Sequence, residues 1–257
     1  MIISLASASA SPGVSTTALA LTLLWKRDAL LVEADTTGYS PTLAGFFQGQ
    51  KRQTSSLLDL ASATDFEDHL IENSYLLTDE KTPLKKFIPA ITNPKHAYTI
   101  TSQWPSLLQE LSSLDSKGVD IILDLGRINS QQFPIETFQA SDLAMLLLTP
   151  GIPEVMAAKN TLASLRLEEM NSGDINPLQI ITISAPKTYS PREVSKVLNL
   201  PVLHSIPHQT EHAAVFSHGA NRSKHFDSSS YIKSLSHLAE TAYAQANKYR
   251  SSINAES

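Results

Sequence analysis

Short apolar runs recur along the chain and alternate with stretches whose apolar residues repeat every three or four positions. Met1–Leu5 (MIISL), Ala29–Val32, Val119–Leu125 (VDIILDL), Leu143–Leu148, Leu178–Ile183 and Val202–Ile206 lack the polar alternation of a half-exposed strand. Runs of this kind read as strands buried on both faces. Between them, Ala18–Trp25 is apolar and rich in helix formers, and Ser56–Ala63 carries Leu57, Leu58, Leu60 and Ala61 at helical spacing. Pro105–Leu114 repeats leucine at 107, 108, 111 and 114, and Glu154–Arg166 holds Val155, Ala158, Leu162 and Leu165. Ser230–Tyr249 lines up Ile232, Leu235, Leu238, Ala239 and Ala242 on one helical face. Pro134–Ala140 reads as a short helix. Ser190-Pro191-Arg192-Glu193 is a helix start: a capping Ser, Pro at the first helical position and Glu three residues on. Strands and helices in this alternation predict an α/β fold, a mostly parallel, doubly wound sheet with helices on both faces.

Two stretches break the pattern. In residues 64–101 the β-like pieces Tyr75–Leu77 and Phe87–Ile91 sit among Pro83, Pro89 and Pro94, which predicts an irregular insertion with two short strands. Residues 207–227 read as a loop with several histidines. No internal repeat and no linker rich in Pro, Gly and Ser is present, so residues 1–250 are expected to form a single domain and 251–257 a frayed tail.

Composition narrows the function. Apolar residues make up 42% and charged residues 18%, as in an ordinary globular core. The net charge of −5 argues against DNA binding by the surface as a whole. With no cysteine there is no disulfide framework and no thiolate chemistry, which fits a reducing compartment. The longest apolar runs are too short to span a bilayer, and the start of the chain lacks the charged region of a secretory signal. A cytoplasmic location is expected.

Candidate chemistry concentrates in the first thirty-five residues. An apolar run, a small-residue loop (ASASASPGVSTT, residues 6–17), a helical stretch and a second apolar run ending in Glu33-Ala34-Asp35 have the form of a βαβ unit. In a parallel sheet the 11–17 loop, Asp35 and Asp124 all lie at carboxyl ends of strands, where open α/β sheets place ligands. Aspartate at a strand tip is common where strands meet solvent, so neither aspartate is informative alone; their joint placement is. Gly126-Arg127 follows Asp124 as a turn.

The loop Ser11-Pro12-Gly13-Val14-Ser15-Thr16-Thr17 resembles the phosphate-binding loop of the MinD/ParA ATPases, K-G-G-x-G-K-[ST], a family that includes the pilus-positioning proteins CpaE and TadZ. Gly13 and Thr17 agree with that pattern. Ser11 and Thr16 stand at the lysine positions, and Pro12 and Ser15 at glycine positions. The resemblance runs over most of the chain; SPGVSTTALAL, VEAD, DLGR and LPVL–IP together resemble a degenerate actinobacterial branch. It implies a P-loop NTPase-like fold with a deviant Walker A loop. It further implies a nucleotide site at Ser11, Pro12, Gly13, Val14, Ser15, Thr16 and Thr17, with ATP and magnesium as candidate cofactors. Thr17 and Asp124 map onto the magnesium ligands, and Asp35 onto the catalytic residue that orients the attacking water. A protein partner and a homodimer are implied as assemblies. The final helix lacks the basic, bulky-apolar face of MinD's membrane-targeting tail.

The missing lysines bear on turnover. Losing a positioned cation from a phosphoryl-transfer site costs several kcal/mol, on the order of a thousandfold in rate. Arg127, beside the phosphates, is a candidate replacement for that charge and joins the nucleotide-binding set. One reading is therefore a spatial organiser or adaptor, for chromosome or plasmid partition or for septum or pilus positioning, with weak or lost hydrolysis. A second is an active magnesium-dependent ATPase whose dimerisation is driven by ATP. A third is a metal-dependent hydrolase through His208-Gln209-Thr210-Glu211-His212, which matches H-x-x-E-H.

Overall fold

The structure, a computed structural model, describes residues 1–9, 12–79, 82–129, 132–171 and 177–256. Its sheet contains β1 (Ile2–Ser7), β2 (Ala29–Glu33), β3 (Tyr75–Leu76), β4 (Lys85–Ile88), β5 (Asp120–Arg127), β6 (Leu143–Leu148), β7 (Leu178–Ser184) and β8 (Val202–Pro207). These lie in the order β3-β4-β2-β5-β1-β6-β7-β8, and β3, antiparallel to β4, is the one departure from parallel pairing. The apolar runs become strands because both faces are covered, as the lack of polar alternation requires.

Alternation along each strand sends neighbouring residues into separate cores. Ile2 and Ala6 of β1, Leu30 and Val32 of β2, and Ile121 and Leu123 of β5 face one core. That core is closed by α2 (Leu57–Ala61), α3 (Phe66–Asn73), α4 (Ala97–Ser116), α5 (Ile135–Gln139), α6 (Ile152–Ser164) and α7 (Pro191–Leu198). Ile3 and Leu5, Leu31, and Ile122 face the other, closed by α1 (Val14–Leu24), α8 (Thr210–Ser217) and α9 (Ser230–Glu256). Fully burying one such leucine or isoleucine contributes roughly 1.5–3 kcal/mol. The capping box expected at Ser190 forms: its hydroxyl accepts from the Glu193 amide while the Glu193 carboxylate accepts from the Ser190 amide.

Several boundaries differ from the sequence reading. Residues 64–101 hold the two short strands read from the sequence, β3 and β4, and are more regular than expected, adding α3 and the start of α4, with β4 paired to β2. Pro105 lies inside α4 and does not begin it; Ala97, Ile100, Trp104, Leu107, Leu111 and Leu114 form a continuous buried stripe across it. Packing along that stripe offsets the one backbone bond that proline removes. The 207–227 loop contains α8. The expected tail is helical to Glu256, and within it Arg250 pairs with Asp115 and, at 2.7 Å, with Asp142.

Candidate functional site

β1 is the central strand at which the connections switch sides, paired to β5 on one side and β6 on the other. Open α/β sheets form their ligand crevice at the carboxyl end of such a strand. The chain there passes through Gly13, whose φ of 92° lies in the left-handed region that a side chain disfavours. α1 begins at Val14, four residues ahead of the apolar stretch that predicted it, and the Thr17 amide donates to the Gly13 carbonyl at 2.9 Å. No side chain caps this end, and its first turn holds no acidic residue. The amides of Val14, Ser15 and Thr16 precede the first intrahelical donor and carry the positive end of the helix dipole. Ser11 lies outside the described residues.

Opposite stands a wall of carboxylates. Asp124 of β5 is 1% exposed; it accepts from the Gly126 amide at 3.2 Å and from the Ser15 hydroxyl. Burial pushes its pKa up to about 7, helped by the charges of Glu33 and Asp35 and opposed by the Ser15 bond. Glu33, at the end of β2 and 1% exposed, accepts from the Thr42 amide at 2.8 Å and the Ala90 amide at 3.3 Å. Burial raises its pKa too, against hydrogen bonds from Ser40 and Thr42. Asp35 caps its own turn by accepting from the Thr37 amide at 2.9 Å. It lies so close to Gly126 that a Cβ there would stand 2.2 Å from Oδ2. In the sequence Glu33 reads only as part of an acidic strand end; the structure makes it the residue that ties the Asp35 loop to the sheet.

Loop and wall enclose a cavity of about 1060 Å³ lined by Gly13, Val14, Ser15, Thr16, Asp35 and Gly126, with exposed Arg127 at the end of β5. Its outer side is a π-helical turn, Thr42–Phe46, packed on α8 so tightly that a Cβ on Gly45 would stand 2.1 Å from the Ser217 carbonyl oxygen. Gln48 clamps the same contact by donating to the Gly219 carbonyl at 2.7 Å. A second cavity, about 190 Å³, lies on the other flank of the loop between Pro12, Thr17, Thr149, Gln209 and Tyr231. Ser15 and Thr17, two positions apart on a helix, point about 200° away from each other. Ser15 therefore reaches Asp124 while Thr17 opens on the smaller cavity.

The donor chemistry fits a phosphate at the amides of residues 14–16, because an uncapped helix start favours anions. Hard oxygen donors suit magnesium, which ordinarily binds through one or two carboxylates plus phosphate oxygens; Asp35 and the hydroxyls of Ser15 and Thr16 line the cavity, and Asp124 is buried behind Ser15. Among the described residues no group of three or more His, Asp or Glu is arranged to hold a metal ion alone. That overturns the hydrolase reading of the HQTEH segment. His208 precedes α8, whereas His212 lies within it and stacks on Phe226, ring centres 5.8 Å apart, so the two imidazoles do not share a helix face. Among the described residues no helix is long and apolar enough to cross a membrane.

No family model and no curated protein matches the chain. Solved structures do. The MinC:MinD cell division complex of Aquifex aeolicus aligns at 14% identity over 95% of this chain and 95% of the other, with a TM-score of 0.72. A ParA family ATPase from Chlorobium tepidum aligns at 15% identity over 93% and 98%, TM-score 0.69. The septum site-determining protein MinD of Pyrococcus horikoshii, solved with Mg-ADP, aligns at 20% identity over 93% and 94%, TM-score 0.65. Identities this low establish the fold, and the chain has the mostly parallel, doubly wound P-loop NTPase fold of MinD and ParA.

Proposed function

We propose that this chain is a MinD/ParA-like spatial organiser or adaptor that holds a nucleotide through backbone amides and turns it over weakly or not at all. The observation that carries this reading is the Ser15–Asp124 hydrogen bond in a loop with Thr16 at the lysine position. The hydroxyl that replaces a loop glycine is engaged by the acidic wall, and no lysine ammonium follows the charge that builds on a transferring phosphoryl group. Arg127 is the one permanently cationic side chain among the described residues lining the larger cavity, and it takes over part of the lysine's role in binding. Thr17 and Asp124, the magnesium candidates that the resemblance implies, face different flanks of the loop as it stands, so one ion between them would need Thr17 to turn toward the larger cavity; Asp35 is the candidate for the water that would attack. When bound, Mg-ATP would supply the reactive phosphoanhydride; the chain's own part is to seat its phosphates, with Gly126 leaving room for Asp35 beside them. The Mg-ADP of the Pyrococcus protein and the MinC partner of the Aquifex protein make nucleotide, magnesium and a protein partner reasonable for this chain. A homodimer and a role in partition or in septum or pilus positioning belong to the same proposal.

Titrating ATP and ADP with and without magnesium tests it. Expected are saturable binding, weakened in Arg127→Ala, and little phosphate release. Brisk magnesium-dependent turnover that vanishes in Asp35→Asn would overturn it in favour of a working ATPase, and absence of binding would remove the nucleotide altogether.

A further inference from the structure

We propose that His204 and His237 form a binding site for a late first-row transition-metal ion, with Zn²⁺ as the natural candidate, linking β8 to α9 and using none of the residues that line the cavities at the phosphate loop. β8 is the outer strand of the sheet. Its register against β7 is irregular: Ile180 pairs with Val202 and Ile181 with His204, so Leu203 is the extra residue. A bulge of this kind re-aims the side chains beside it. Leu203 packs into the core under α9, and the next residue, His204, also reaches α9, its Nε2 lying 2.8 Å from the Ser234 hydroxyl.

The Ser234 hydroxyl reaches the Ser205 carbonyl at 3.4 Å, and when it donates there it accepts from Nε2 of His204. In that tautomer Nε2 carries the proton and Nδ1 keeps the lone pair that a metal needs. One turn along α9 from Ser234, the ring of His237 lies with its centre 5.4 Å from that of His204, the planes tilted by 59°. A tetrahedral ion holding two imidazole nitrogens at about 2.0–2.1 Å sets their ring centres about 5 Å apart. The observed 5.4 Å is compatible with that span.

His204 is held below its ordinary pKa by burial and by the neighbouring His237, against a hydrogen bond to the Ser234 backbone that raises it. Glu240, one turn beyond His237, places a carboxylate nearby; its present partner is Lys26 at 2.7 Å. Two imidazoles with water completing the shell form a site of modest affinity, ranked by the usual order in which copper and nickel exceed cobalt. The ligands come from different elements, so an ion held there staples the last helix to the sheet edge.

Isothermal titration of ZnCl₂ into metal-free full-length protein tests the site, with thermal unfolding as a second readout. Expected are one saturable Zn²⁺ per chain and a rise in Tm of roughly 5 °C at hundredfold excess over Kd. His237→Ala, a change at an exposed position, is expected to abolish both effects, and Ser234→Ala to weaken binding about tenfold. His208→Ala is expected to bind as the wild type does. Absence of saturable binding, unchanged affinity in His237→Ala or Ser234→Ala, or a loss in His208→Ala that spares His237→Ala would each overturn the proposal.

Discussion

Replacing Asp124 with asparagine should stabilise the protein above neutral pH and do little in acid. The wild-type carboxyl titrates at about 7 in the fold against an ordinary 3.8, chiefly because it is buried. Below 3.8 both folded and unfolded chains hold the proton, and stability is complete. Between 3.8 and about 7 the unfolded chain releases the proton and the folded one keeps it, so stability falls as pH rises. Above about 7 the loss is complete. Each pH unit in that window corresponds to about 1.4 kcal/mol, so the whole interval corresponds to about 4 kcal/mol, of which roughly 2–3 kcal/mol falls between pH 5 and 8. The asparagine side chain would carry no such dependence, and its amide oxygen can still accept from the Gly126 amide that now bonds Oδ1 at 3.2 Å. Urea unfolding followed by circular dichroism at pH 5, 6, 7 and 8 would read the difference. The advantage of Asp124→Asn should widen by roughly 2–3 kcal/mol over that range. A difference that stays constant with pH, or a variant less stable than wild type at pH 8, would refute the burial argument.

Gly126→Ala forces a side chain into the left-handed region at φ 67° and drives its Cβ onto Asp35. A loss of roughly 1–3 kcal/mol is expected in urea melts, together with weaker nucleotide binding as Asp35 is displaced. Gly45→Ala meets the Ser217 carbonyl oxygen, which cannot swing aside as a flexible side chain would. A comparable loss is expected, with faster amide exchange in α8 and in the π-helical turn. Thr16→Lys restores an ammonium at the helix start and should tighten ATP binding by about tenfold or more in calorimetry; unchanged affinity would mean that phosphate does not sit at this loop.

Much of the fold was legible because its strands are buried on both faces and so read as unbroken apolar runs. Asp35 and Asp124 were legible for a related reason, since strand boundaries fix where strand ends lie. What escaped had weaker or conflicting signals. α8 buries only Val215 and Phe216 and has no side-chain cap, so nothing in its pattern outweighs the surrounding histidines. α3 did carry a sign, Asp65 capping the Asp68 amide ahead of Phe66 and Leu70 four residues apart. Its first turns, however, are too polar for the pattern to stand out. Pro105 suggested a helix start, while the stripe from Ala97 to Leu114 that overrides it is visible only across the full length. Glu33 was hidden most deeply, because an acidic residue at a strand end reads as solvent-facing. Its role depends on the amide of Thr42, at the start of the π-helical turn, and on that of Ala90, beyond the end of β4 and far off in sequence.

The division of labour at the loop follows from where α1 begins. Starting the helix at Val14 turns Ser15 onto Asp124 and leaves Thr17 on the far flank, so the hydroxyls of one short segment serve different cavities. A lysine at position 16 would bring a mobile positive charge between helix start and acidic wall; a threonine brings neither the charge nor the reach. A phosphate approaching the amides is then attracted by the helix dipole and repelled by whatever part of Glu33, Asp35 and Asp124 is ionised, at separations where burial leaves little screening. The arrangement discriminates among anions by what accompanies them. A ligand that brings its own divalent cation can bridge to the wall, and one without such a cation depends on Arg127 at the rim. Under the proposed function such a site would register occupancy without cleaving anything, and the π-helical turn, tied to Glu33 at Thr42 and packed on α8 at Gly45, is the segment that a partner protein would read.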